Sequence, residues 1–190
     1  MKSILRKHIE KTVPITDDEF EYVFSHFTPK KYKKHQFVIQ EGEYVTSDFF
    51  VLSGCIKSYF TDLDGKVHIL QFGMPDWWIT DYKAYYYQTT AATNIDCIED
   101  TELLCLSLQN REKICGEIHS MANFFRKKSS KHNVALQQRI LSLLSSSAKE
   151  RYDELLKLHP QLFQIVPKQL IAAYLGVTRE TLSRFNSSAK

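Results

Sequence analysis

Leu170-Ile171-Ala172-Ala173-Tyr174-Leu175-Gly176-Val177-Thr178-Arg179-Glu180-Thr181-Leu182-Ser183-Arg184 is the stretch of this 190-residue chain that decides its architecture. Pro167, just before it, is suited to open a helix, because its ring fixes the φ angle a first turn requires. Leu170, Ile171 and Ala172 then fall on or near one face. Gly176 supplies a sharp turn, Val177 fills the corner, and Thr178 caps a second helix, expected over 179–187. On that helix Arg179, Glu180, Ser183 and Arg184 point outward, while Leu182 and Phe185 turn inward. Small Ala172 and Ala173 let the two helices approach closely. A helix, a tight glycine turn and a polar second helix make a helix-turn-helix pattern.

That pattern suits double-stranded DNA. The second helix lies in the major groove with its N-terminal residues against base edges. An arginine matches the O6 and N7 acceptors of guanine, and a glutamate accepts from cytosine N4. Arg179, Glu180 and Arg184 are therefore the expected base readers. Lys168, Thr178 and Ser183 are assigned to phosphates, which position the protein without reading sequence. Charge agrees: residues 1–115 hold 13 Lys+Arg against 17 Asp+Glu, whereas residues 116–190 hold 12 against 5. The net +3 thus joins an acidic front to a basic back, as in chains that bind nucleic acid through one part only.

Upstream the period stays helical. Ile114, Ile118, Met121 and Phe125 step by three and four, the seam of a helix that meets a partner. Lys128 and His132 interrupt that seam before it resumes at Leu136, Ile140, Leu143 and Leu144. A single helix of about 33 residues would span roughly 50 Å, long enough for a dimer spine. Ser145-Ser146-Ser147 reads as its end or as a hinge, and Glu150–Leu158 as a further amphipathic helix stopped by Pro160.

The front half reads differently. A short helix is expected at Asp17–Phe27, capped by Thr16 or Asp17. Beyond Pro29 come short aromatic or β-branched runs: 37–39, 49–52, 55–60, 67–72, 95–98 and 103–106. Turn residues separate them, among them Asp64-Gly65, a good hairpin turn. Regularly spaced short strands indicate an antiparallel β-roll, so the chain is α+β. Between two of these runs sits an aromatic segment with Trp77, Trp78 and Tyr82, open to two readings. It could bind a flat or apolar effector, with Phe124 and Phe125 nearby, or it could pack between the roll and the long helix.

Several classes are disfavoured. No run approaches a membrane span, and Met1–Lys11 lacks the apolar core of a signal peptide. The cysteines at 55, 97, 105 and 115 are too far apart for a metal cluster and read as reduced thiols of a cytoplasmic protein. No catalytic triad, phosphate-cradling loop or cupin-type histidine cluster is visible, so no enzyme, metal or cofactor is expected.

The run 170–184 resembles the recognition module of the Crp/Fnr family of bacterial transcription regulators. Gln40-Glu41-Gly42-Glu43 and Asp48-Phe49-Phe50-Val51-Leu52-Ser53-Gly54 are similar to that family's cyclic-nucleotide-binding-type roll. The resemblance implies an effector domain over 1–110, a dimerisation helix over 111–145 and a winged helix-turn-helix over 146–190. It further implies a homodimer on a near-palindromic promoter site, activating or repressing transcription. RNA polymerase and an unidentified small-molecule effector are the further partners it admits. The cyclic-nucleotide signatures are missing, however. Thr80-Asp81 stands where the family has its ribose-binding Gly-Glu, and Ala91-Ala92-Thr93 where it has its phosphate-binding Arg-Ser/Thr-Ala. No arginine lies between Lys7 and Asn110, so tight binding of cyclic AMP is not expected. The rival reading is a ligand-binding roll that acts through a protein partner rather than DNA.

Overall fold

The computed structural model describes residues 1–187. Helices α1 (Lys2–Glu10) and α2 (Asp17–Ser25) precede two antiparallel-paired sheets. One has the order β1 (Thr28–Tyr32), β8 (Thr101–Ser107), β3 (Ser47–Ser53), β6 (Trp78–Ile79). The other has the order β2 (Phe37–Ile39), β7 (Asn94–Cys97), β4 (Ile56–Thr61), β5 (Val67–Gly73). Helix α3 (Tyr82–Tyr87) lies between β6 and β7 in sequence. After β8 come α4 (Leu108–Glu117), α5 (His119–Ser145), α6 (Ala148–Leu158), α7 (Leu162–Ile165), α8 (Lys168–Leu175) and α9 (Arg179–Ser187). The chain divides into two compact units: Met1–Ser58 with Phe72–Lys131, and Tyr59–Gln71 with the residues from His132 onward.

Strand periodicity explains the core of the first unit. Successive side chains of a strand point to opposite faces, yet β3 and β8 each carry four consecutive apolar residues, Phe49–Leu52 and Leu103–Leu106. Both of their faces are covered. Phe49 and Val51 of β3, with Leu103 and Cys105 of β8, fill the roll beside Ile56, Ile79, Tyr85 and Ile95. Phe50 and Leu52, with Leu104 and Leu106, face the other way onto Leu5, Ile9, Phe20, Val23, Ile114 and Phe124. The register holds this arrangement, pairing Phe49 with Cys105 and Phe50 with Leu104. At the end of β3, Gly54 has φ +87, and a Cβ there would lie 2.4 Å from the Asp100 carbonyl. The chain can turn here only at glycine. Burial pushes the Cys55 thiol up to about 12, away from reactivity.

In the second unit the hairpin tip closes as the sequence suggests. Gly65 adopts φ 78, and Asp62 N–H donates to the Lys66 carbonyl at 3.0 Å. Helix α6 begins with a capping box in which Ser147 and Glu150 satisfy each other's backbone N–H, a device worth about 1 kcal/mol. Tyr152 stacks edge-on to Phe163 at 5.3 Å and lies 5.6 Å from Phe185. Leu155, Leu162, Val166, Ile171, Leu175 and Leu182 are buried in the same unit.

The long helix differs from its expected form. Ile118 takes an extended conformation (φ −122, ψ 104), so the helical run is broken into α4 and a 27-residue α5. Ile114, Ile118, Met121 and Phe125, expected to face a partner, are buried against the chain's own strands and α1. Lys128, expected on the polar seam, is also turned inward, where it pairs with Asp48. Helical periodicity identifies a face but not what covers it. The apolar positions from Val134 to Leu144, by contrast, are exposed. Among the described residues no strand follows β8, so the expected wing has no counterpart there; residues 188–190 of the expected 146–190 domain lie outside them. Nor is any helix among them long and apolar enough to cross a membrane.

Candidate functional site

The α8–α9 pair is built by local chemistry. Gly176 sits in the left-handed region at φ 71. Its N–H donates to the Ala173 carbonyl at 3.3 Å, and that of Val177 to Ala172 at 3.0 Å. This double closure ends α8 while satisfying its last carbonyls. Thr178 then caps α9, its Oγ1 accepting the Thr181 N–H at 3.3 Å. Leu182 is 1% exposed and fastens α9 to the unit's core. Arg179, Glu180, Ser183 and Arg184 are all exposed, as is Lys168 at the start of α8. The capping bonds and nearby arginines hold the Glu180 carboxyl below its usual range, so it is ionised at neutral pH.

The residues singled out in the roll fall into separate groups. Asp81 caps α3, Oδ1 accepting from Ala84 N–H at 3.1 Å. Its Oδ2 accepts from Ala92 N–H at 3.0 Å and from Thr93 Oγ1 at 3.1 Å. A carboxylate thus occupies the backbone donor on which a cyclic phosphate would be expected to settle, and no arginine accompanies it. The residues present do not fit a cyclic nucleotide. Titration with cyclic AMP in the low micromolar range should give no saturable binding signal. Thr80 is buried, with Oγ1 donating to the Ser47 carbonyl at 2.9 Å, and Ala91 belongs to the roll interior. Trp78, Phe124 and Phe125 pack together in the other cluster, Trp78 and Phe125 edge-on at 5.9 Å. Trp77 and Tyr82 are half-buried.

A buried polar chain crosses this second group. Asp48, fully buried on β3, accepts from Lys128 Nζ at 2.5 Å. That ammonium lies 3.9 Å from the centre of the Trp78 ring. Trp78 Nε1 donates in turn to His8 Nε2 at 3.0 Å, while His8 Nδ1 lies 2.7 Å from Asp76 Oδ1. Only the neutral Nδ1–H tautomer meets both demands. Arg111 stacks nearby on Tyr86 and Phe125, its Nη1 donating to the Tyr86 hydroxyl. Neither His8 nor Asp48 carried a signal in the sequence, since their partners lie 68 to 80 positions away with no shared motif.

His8 gives the fold a pH dependence. It faces Asp76, Lys11 just past the end of α1 and Lys128 of α5, and desolvation outweighs Asp76 in pulling its pKa below 6.5. The folded state therefore binds fewer protons than the unfolded one as pH falls below 6.5, and stability contributed by neutral His8 is lost there. The melting temperature should drop between pH 7 and pH 5. A His8→Gln variant should show a flatter profile over the same interval; an unchanged slope would remove His8 as the cause.

Comparison with known proteins follows the same division. Residues 29–117 match the family described as the cyclic nucleotide-binding domain. No curated protein sequence matches the chain. Among solved structures, FixK2 from Bradyrhizobium japonicum is similar with a TM-score of 0.73 at 22% identity, covering 85% of this chain and 83% of that one. The catabolite activator protein of Thermus thermophilus gives 0.57 at 19% identity, over 92% and 83%. A regulator assigned to the Crp/Fnr family from Eubacterium rectale gives 0.68 at 15% identity, over 90% and 82%. Residues 29–117 thus match the cyclic nucleotide-binding domain family, and the chain shares the fold of these solved structures, among them one assigned to the Crp/Fnr family of transcription regulators.

Proposed function

We propose that the chain is a cytoplasmic, homodimeric transcription regulator that reads a near-palindromic DNA site through α9, and that it is not an enzyme. The observation that carries this is the exposed start of α9, where Arg179, Glu180 and Arg184 project from a helix capped by Thr178 and anchored by Leu182. In the major groove Arg179 and Arg184 offer paired donors to guanine, and ionised Glu180 accepts from cytosine. Lys168, Thr178 and Ser183 contact phosphates. The exposed apolar face of α5 joins two copies, so that two α9 helices address half-sites about one DNA turn apart. The likeness to Crp/Fnr structures supports the same reading.

Selection of bound fragments from a random duplex pool, without added ligand, tests it. An inverted repeat with half-sites one turn apart is the expected product. Failure to enrich any sequence, together with salt-insensitive binding, would favour a roll acting through a protein partner. On the selected site Arg179→Ala should cost about 1–3 kcal/mol and relax preference at one base pair of each half-site. A uniform loss over all sequences would reassign Arg179 to a phosphate.

A further inference from the structure

The second unit contains two guanidiniums facing one cavity, neither of them in an ion pair among the described residues. Arg139 of α5 and Arg151 of α6 line a cavity of about 200 Å³ bounded by α5, α6 and α8. The Arg139 guanidinium lies 3.6 Å from the centre of the Tyr174 ring. Its Nη2 donates to the carbonyls of Ile69 at 3.1 Å and Tyr174 at 3.2 Å. Arg151 donates from Nε and Nη2 to the Leu175 carbonyl at 3.2 and 3.0 Å, and from Nη1 to Ser146 at 2.6 Å. Every acceptor is a neutral carbonyl.

Neither arginine forms an ion pair among the described residues; Glu154, which also borders the cavity, is exposed. Two like charges sharing a partly desolvated space repel, and an arginine cannot relieve this by losing its proton. Burial, with Arg151 adding to it, holds Arg139 below the ordinary guanidinium range. Leu143, Leu155 and Leu158 give the wall an apolar part, alongside the polar Gln138, Ser142, Glu154 and His159. The space is smaller than the roughly 300–1,000 Å³ of sites for drug-sized ligands.

We infer that this cavity binds a small carboxylate bearing an apolar tail, its carboxylate held between Arg139 and Arg151 and its tail against the leucines. A carboxylate matches the planar fork of arginine and neutralises the pair. The stacked Tyr174 ring keeps the Arg139 plane in place before the ligand arrives, so little ordering remains to be done on binding. The wall includes Tyr174 and Leu175 of α8, so an occupant ties α8 to α5 and α6. The assignment is independent of what α9 reads, because binding to the cavity is measured without DNA.

Calorimetric titration of the full chain with sodium hexanoate, and separately with inorganic phosphate, tests it. Hexanoate should bind saturably at one site per chain, and phosphate more weakly. Arg139→Gln should weaken hexanoate at least about 30-fold. A second variant, Ala135→Phe, obstructs the cavity from an exposed position of α5 without removing any of the bonds above, and should also abolish binding. Its melting temperature shows that the fold is retained. Absence of saturable binding, or hexanoate affinity unchanged in both variants, would overturn the site. Phosphate binding as tightly as hexanoate would overturn the apolar tail.

Discussion

Asp48→Ala is expected to destabilise the chain by about 3–5 kcal/mol, the usual cost of stranding one member of a buried ion pair. Asp48 is fully buried, and Lys128 reaches it at 2.5 Å from α5. Around the ammonium stand the rings of Trp78, Tyr82 and Phe125, at 3.9, 5.7 and 5.6 Å from their centroids. These faces favour a cation but cannot replace a carboxylate. Asp48 Oδ1 has no hydrogen-bond partner among the described residues, so the pair is incompletely satisfied even in the native state.

Burial pushes Lys128 down to about 8 from 10.5, despite Asp48. Between those values the unfolded state binds more protons, so native stability rises with pH across that window. Without Asp48 the opposing carboxylate is gone, Lys128 loses its proton lower still, and the penalty shrinks as pH rises. Lys128→Met should cost about as much at pH 7, since it leaves the carboxylate buried alone. The double variant Asp48→Ala/Lys128→Met should recover most of the loss. Urea unfolding followed by the fluorescence of Trp77 and Trp78 measures all four states of this cycle. Additive single effects would show that the two groups do not act as a pair.

The misplacement of Lys128 shows where sequence reasoning stops. A charge on a helical face ordinarily marks solvent or a polar seam, and nothing local announces a carboxylate 80 positions away. Turn chemistry is local, and so the α8–α9 pair was legible down to Gly176 and Thr178. The strands β3, β8 and the 64–65 hairpin were legible for the same reason. β1 was not: Thr28–Tyr32 is a polar run on the sheet edge, with no alternation to betray it. Helix α1 hides Leu5 and Ile9, both 0% exposed, in a stretch whose charges dominate the eye. In the aromatic segment, Asp81 three positions before Ala84 is a capping signal that could have revealed α3. The same carboxylate had registered only as a departure from a nucleotide signature, whereas its three hydrogen bonds make it a structural residue that closes the donor site. The Arg139–Arg151 cavity was invisible for a further reason, since its walls come from three helices and no spacing unites them.

The largest functional effect is expected from the α5 face left exposed among the described residues. Leu136, Ile140 and Leu144 follow four-residue steps, with Leu143 three beyond Ile140; Leu136, Ile140, Leu143 and Leu144 are 45, 56, 43 and 80% exposed. With Val134 and Leu141 they form a continuous apolar stripe of a kind that marks an association surface. The proposed second copy would meet its demand, because a two-fold interface sets the same stripe against itself. Ile140→Glu with Leu144→Glu places like charges across that seam. Glutamate is a good helix former, so α5 itself should persist. Sedimentation should then report a monomer where the unaltered chain sediments as a dimer. A monomer holds only one half-site, and losing the second engagement should weaken binding to the selected site by about 10²–10⁴-fold. Arg179→Ala is the control, since it should alter base preference while leaving the dimer intact. A variant that remains dimeric, or a monomer that binds the full site undiminished, would break the link between this face and DNA recognition.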